Sequence, residues 1–372
     1  MGSVSRTAVV LASGAAVAVA GGLTAFVVTS SQHPAPASKA SVTHVAAARP
    51  PLRVVSVTPA DGSRRANGAN PVTVTFNQPL PASVPFPRLT PAVQGTWARS
   101  RDSVTFTPAS GFPPSTHVRV TVPGTGATTR SEYSVQFTTG QYSTLRLQQV
   151  LAQLGYLPMT WTANPGGTVT PGSLAAQAAA AYSPPAGSFA WHSGYPNQLR
   201  EMWKQGSSNM LDTGAIAGFE EAHGLRPDGT AGMTFWAALL KAAAAGKGNP
   251  NGYSYAMVSE SSPESLTIWH DGRRVLHTPA NTGISVAPTA TGTYFVYEKL
   301  TYQIMSGTNP GGSHYADPVS WVSYFNGGDA VHYFPRGSFG WPQSLGCVEL
   351  PYSAAKRSYG YLPYGTLVSV NP

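Results

Sequence analysis

A chain of 372 residues exceeds one ordinary domain and predicts two or three of roughly 100–200 residues each. Hydrophobic residues make up 42%, enough for real cores, but charged residues only 10%, against about 25% in an average soluble protein. With 39 glycines and 33 prolines and no G-X-Y period, collagen and a helical bundle are both excluded. The formal net charge of +8 suits anionic surroundings such as a membrane face or an acidic wall polymer. Nucleic acid is not expected as a partner, because no Lys/Arg-rich run is present. One cysteine, Cys347, leaves no possibility of an intrachain disulfide or of a zinc site built on cysteine pairs.

From Thr7 to Val28 the chain is uncharged and almost wholly apolar or small, long enough to span a hydrocarbon core as a helix. Arg6 precedes it, so the N-terminus is expected inside and the remainder outside. Residues 1–30 therefore read as a signal-anchor or transmembrane segment, with cleavage near Ala37 or Ala48 as the alternative. Residues 31–50, rich in Pro, Ala and Ser, read as a flexible tether. The expected location is the cell envelope, outside the cytoplasm.

Residues 51–140 carry short alternating runs at Arg53–Val57, Val72–Phe76, Ser103–Thr107, Val118–Val122 and Ser134–Thr138. Turn residues separate them at intervals suited to an antiparallel sandwich. This stretch resembles the bacterial Ig-like modules of surface proteins, and a spacer role is expected. From Ser143 the period changes to helical, with Leu145, Val150, Leu151 and Leu154 on one face and a stop at Gly155 and Pro158. Two further helical runs flank the GLRPDGTAG turn before Trp236. Residues 143–242 resemble the two halves of a small helical peptidoglycan-binding-like module split by an insertion at roughly 159–210. A glycan contact and a helical spacer that binds nothing are both open for it. Ala243–Gly252 reads as a linker, and 253–371 as a mostly β domain with a hairpin at Asp271–Arg273.

Chemistry is concentrated around Cys347. Its preceding Gly346 lets the backbone approach a substrate, and fourteen residues separate it from His332 at the end of an alternating strand. A thiol near pKa 8.5 is mostly protonated at neutral pH, so a neighbouring imidazole would be needed to take its proton. Successive N–H groups of the Ser344-Leu345-Gly346-Cys347 turn would stabilise a tetrahedral oxyanion. His314 with Asp317 is only two ligands, so no metal site is expected.

The pattern of His332, then fourteen residues ending in Ser344-Leu345-Gly346, then Cys347 and Val348 resembles the catalytic domain of the L,D-transpeptidases, the YkuD family. The upstream SLTIWHDGRRVLHTPANTG and PTATGTYFVYEK segments resemble that family's opening hairpin and strand entry. Two positions depart from it: Leu345 stands where the family has histidine, and Glu349 where it has Asn or Arg. The domain order also resembles actinobacterial members. The chain is thus expected to be multidomain and mainly β: membrane segment, Ig-like β-sandwich, helical module and mostly-β catalytic domain.

The resemblance implies a cysteine acyltransferase acting on peptidoglycan stem peptides as donor and acceptor, acylated by carbapenems and requiring no cofactor. Cys347 would be the nucleophile and His332 the base, oriented by the Tyr333 carbonyl. The amides of Gly346 and Cys347, with Leu345, would hold the oxyanion, and Ser344 would stabilise the turn. Arg336 is a candidate for a substrate carboxylate and Glu349 for acyl-group contacts. Met305, Tyr315 and Trp321 fall where the family has a lid. Transfer, hydrolysis by the same acyl-enzyme, and an inactive wall-binding relative are all compatible with the sequence.

Overall fold

The computed structural model describes residues 50–124 and 132–372. The expected anchor and all but the last residue of the tether lie outside them; among the described residues no helix is long and apolar enough to cross a membrane.

The first domain contains β1 (Val54–Thr58), β2 (Val72–Phe76), β3 (Arg88–Thr90), β4 (Gly95–Arg99), β5 (Ser103–Pro108), β6 (His117–Val122) and β7 (Tyr133–Thr138). They form two antiparallel sheets, β1-β2-β5-β4 and β3-β6-β7, packed as a sandwich. Alternation dictates the packing: Val72, Val74 and Phe76 of β2 point inward with Val118, Val120 and Val122 of β6. Full burial of each such side chain contributes about 1.5–3 kcal/mol.

The helical region comprises α1 (Thr144–Gln153), β8 (Met159–Ala163), α2 (Leu174–Tyr182), β9 (Gly187–Trp191), α3 (Asn197–Glu201), α4 (Met210–Ala222) and α5 (Met233–Ala245). The insertion is not a loop. It supplies a two-stranded ribbon and two helices, and it covers the polar face of α1. Gln148 donates to the carbonyls of Lys204 and Ser207 and to Asp212, Gln149 donates to the Pro185 carbonyl, and Arg146 donates to Gln149 and Gln177. Most polar atoms buried this way keep hydrogen bonds, Arg146 Nε and Asp212 Oδ1 excepted. Nor is 243–252 a free linker. α5 runs into it, and Asn249 bonds back to Leu154 and Gly155 beyond the end of α1.

The last domain holds β10 (Ser254–Ser259), β11 (Ser265–His270), β12 (Arg273–Pro279), β13 (Gly292–Phe295), β14 (Glu298–Thr308), β15 (His314–Asn326), β16 (Asp329–Tyr333), β17 (Val348–Leu350), α6 (Tyr352–Tyr361) and β18 (Leu367–Asn371). The expected hairpin joins β11 to β12, with Asp271 and Gly272 both at positive φ, as its tight turn requires. Helix α6 was not expected from the pattern. One sheet runs β12-β11-β10-β18-β13, the other β14-β15-β16-β17.

The first sheet is buried on both faces. Ala256, Val258, Ile268, Val368 and Val370 face a core shared with α6 and the second sheet. Their alternates Tyr255, Met257, Trp269 and Leu367, with Phe295, join the core of the helical region. The seam is close enough to require glycine: a Cβ on Gly214 of α4 would lie 2.6 Å from the Gly365 carbonyl oxygen. The helical region and the last domain therefore share a core, which a detachable binding module would not.

Candidate active site

The second sheet builds a cleft of about 630 Å³ between the β14–β15 hairpin and the turn before β17. Parallel pairing of β16 with β17 places Val331 beside Val348 and His332 beside Glu349, which brings the histidine and the cysteine turn to one wall. Cys347, His332, Tyr315, Met305, Arg336, Glu349, Leu345 and Ser344 all line the cleft.

His332 is buried, and its Nδ1 lies 3.0 Å from the Tyr333 carbonyl oxygen. A carbonyl only accepts, so Nδ1 carries the proton and Nε2 keeps its lone pair. Burial lowers the pKa of His332 below its usual value, with the Tyr333 and Glu349 contacts opposing and Arg336 adding to the fall. The ring is therefore neutral at neutral pH and able to act as a base.

Cys347 is half-buried, and its thiol donates to the Gly328 carbonyl at 3.6 Å. Burial pushes the thiol up to about 12; the Ala330 amide works against the rise, and the carboxylates of Asp329 and Glu349 add to it. A cysteine above its histidine in pKa cannot form a resting ion pair. The resting site is thus a neutral thiol and a neutral imidazole, with no hydrogen bond between them among the described residues.

The turn carrying Cys347 is braced on two sides. Ser344 Oγ donates to the Cys347 carbonyl at 2.6 Å and accepts from the Gly346 amide at 3.2 Å. This corrects one expectation: the Gly346 N–H is engaged within the turn and is not an oxyanion donor. Among the described residues, the amides of Leu345 and Cys347 carry no hydrogen bond and remain for that role. Gly346 sits at φ +116°, where a Cβ would lie 2.5 Å from Asp329 Oδ1. From behind, the Gln343 and Ser344 amides donate to the Thr282 carbonyl, both at 2.9 Å, and Thr282 donates to the buried Glu264 carboxylate. Asn281 and Glu349 exchange backbone bonds, and Asn281 Oδ1 accepts from the Gly340 amide.

Two further expectations are corrected. Arg336 does not extend a free guanidinium to a substrate: it grips Glu349 through Nε and Nη2, each at 2.7 Å, and donates to the Gln343 carbonyl. Trp321 lies off the cleft. The pairing of β15 with β16 is irregular around it and its φ is +58°, so the indole packs on Tyr352 and Tyr359 of α6. Tyr333 contributes its carbonyl to the site while its ring also packs on Tyr352. Residues missed at the sequence level are Glu264, Asn281, Thr282 and Asp329. Only Asp329, three positions before His332 and directly after a Gly-Gly turn, had a position that invited attention. Among the described residues no cluster of three or more ligating side chains could hold a metal ion.

A family model of the L,D-transpeptidase catalytic domain (YkuD) matches residues 253–370, and one of a bacterial Ig-like domain matches 48–139. No curated protein matches. Similar solved structures include L,D-transpeptidase 3 from Mycobacterium tuberculosis in complex with a faropenem-derived adduct, 17% identical, covering 86% of this chain and 98% of that one, TM-score 0.30. An L,D-transpeptidase from Mycobacterium smegmatis is 16% identical over 87% of this chain and 100% of its own, TM-score 0.30. The catalytic domain from the E. faecium L,D-transpeptidase acylated by ertapenem is 26% identical over 32% of this chain and 96% of its own, TM-score 0.29. Residues 253–370 are an L,D-transpeptidase catalytic domain of the YkuD family, in a chain that also carries a bacterial Ig-like domain.

Proposed function

We propose that this chain is a peptidoglycan L,D-transpeptidase that works through a Cys347 thioester, outside the cytoplasm and held to the envelope by Thr7–Val28. The observation that carries the reading is the state of His332. Its Nδ1–H is committed to the Tyr333 carbonyl, which leaves a basic Nε2 in the cleft that holds the chain's one thiol.

Cys347 attacks the carbonyl of the third residue of a tetrapeptide stem. Because the resting thiol is protonated, the proton passes to His332 Nε2 as the carbon–sulfur bond forms. The Leu345 and Cys347 amides hold the oxyanion; one such donor is worth about 10²–10³ in rate. The imidazolium then protonates the departing D-alanine nitrogen, leaving the thioester. The side-chain amine of a second stem attacks it and gives a 3→3 crosslink. Thioester formation and aminolysis need only nucleophile, base and oxyanion donors.

The test is intact-protein mass after incubation with imipenem, for the parent and for Cys347→Ala. A stable adduct on the parent alone, followed by 3→3 dimers from tetrapeptide stems, is the expected result. An adduct on Cys347→Ala, or none on either protein, sinks the assignment.

A further inference from the structure

Asp329 opens β16 and lines the cleft beside the nucleophile turn, with Oδ1 against Gly346. Its hydrogen bonds are long: Oδ2 accepts from the Ala290 amide at 3.4 Å and from Asn326 at 3.3 Å, whereas charge-assisted bonds run at about 2.7–2.9 Å. It has no cation. The one guanidinium in the cleft, Arg336, is committed to Glu349, and Asp329 takes part in none of the ion pairs among the described residues. Asp317, Asp329 and Glu349 thus face the cleft against Arg336 alone, a negative site in a chain of net charge +8.

A carboxylate in this place opposes the first half of the reaction, since its charge raises the pKa of the thiol. Its benefit must lie in a step where a positive charge enters. The second half has one: a primary amine arrives as an ammonium, whereas water arrives neutral.

We propose that Asp329 is a specificity-determining residue that seats the ammonium of the acceptor next to the Cys347 thioester and takes the first of its protons. The inference rests on the thioester mechanism above. The ammonium gives one proton to Asp329, and the freed nitrogen lone pair attacks the thioester carbon. The carbon–sulfur bond breaks, and a second proton travels through His332 Nε2 to the departing sulfur. The products are an amide, the free thiol and one proton, which Asp329 returns to water. Burial already raises the pKa of Asp329 above the usual carboxylate value, which favours that proton uptake.

The experiment uses the full chain, as wild type, Asp329→Asn and Asp329→Glu. Each is acylated with a tetrapeptide donor and then offered n-butylamine, a cation at neutral pH, or methoxyamine, which is uncharged there. The expected result is that Asp329→Asn lowers the ratio of butylamine to methoxyamine transfer about tenfold, equivalent to about 1.4 kcal/mol, and that Asp329→Glu restores most of it. An unchanged ratio, whether both transfers fall together or neither moves, overturns the proposal. Failure of the wild type to form any acyl-enzyme refutes the thioester mechanism itself, and this inference with it.

Discussion

Arg336→Met tests whether the cleft depends on its buried ion pair. Glu349 has only 5% of its side chain exposed and accepts two 2.7 Å bonds from Arg336, whose side chain is 28% exposed. Methionine keeps much of the stem but leaves the carboxylate without a cation, beside His332. Removing one partner of a buried pair costs about 3–5 kcal/mol, mostly for the uncompensated charge. The double variant Arg336→Met/Glu349→Leu removes that charge as well and should recover most of the loss. Urea unfolding of the parent, both single variants and the double variant gives the coupling directly. A second readout is the His332 titration: Arg336 lowers its pKa and Glu349 raises it, so Arg336→Met should move it up and Glu349→Gln down. A loss below about 1 kcal/mol for Arg336→Met, or a double variant as unstable as the two singles summed, refutes the reasoning.

On the proposed mechanism, acylation by imipenem needs neutral His332. Because burial lowers its pKa, the neutral form persists to lower pH than for a free imidazole; the acid limb of the pH–rate profile should lie below the ordinary histidine value of about 6.5. An acid limb above that value contradicts the assigned environment. Expressed alone, residues 253–372 would expose Tyr255, Met257, Trp269, Phe295 and Leu367 on one sheet face. Apolar patches of that kind promote association, so light scattering should show oligomers or aggregate where the longer chain is monodisperse. A monomeric fragment with the parent's melting temperature would show that the shared core contributes little.

Much of this was legible in the sequence, and the reason is local. Alternating runs such as Val72–Phe76 and Val118–Val122 announce half-buried strands because their periodicity is the packing. β3, only three residues long, and β4, Gly95–Arg99, carry no comparable alternation and passed unread. At the site, His332 and Cys347 were recognisable by type and spacing. The Arg336–Glu349 grip was not, because it depends on the parallel register of β16 and β17, a non-local fact. The displacement of Trp321 onto α6 is equally invisible without the irregular pairing that accompanies it. The insertion gave no periodic signal of its own, yet its carbonyls satisfy Gln148 and Gln149, and that partnership exists only in three dimensions.

The thiol parked on the Gly328 carbonyl has a consequence for the lifetime of the molecule. Oxidants attack thiolates far faster than thiols, and the ladder from sulfenic to sulfonic acid begins with that form. With its pKa near 12, Cys347 offers almost none of it while the cleft is idle. On the mechanism proposed above, the sulfur gives up its proton only while substrate is bound, when His332 takes it. A chain with a single thiol thereby ages by turnover more than by waiting.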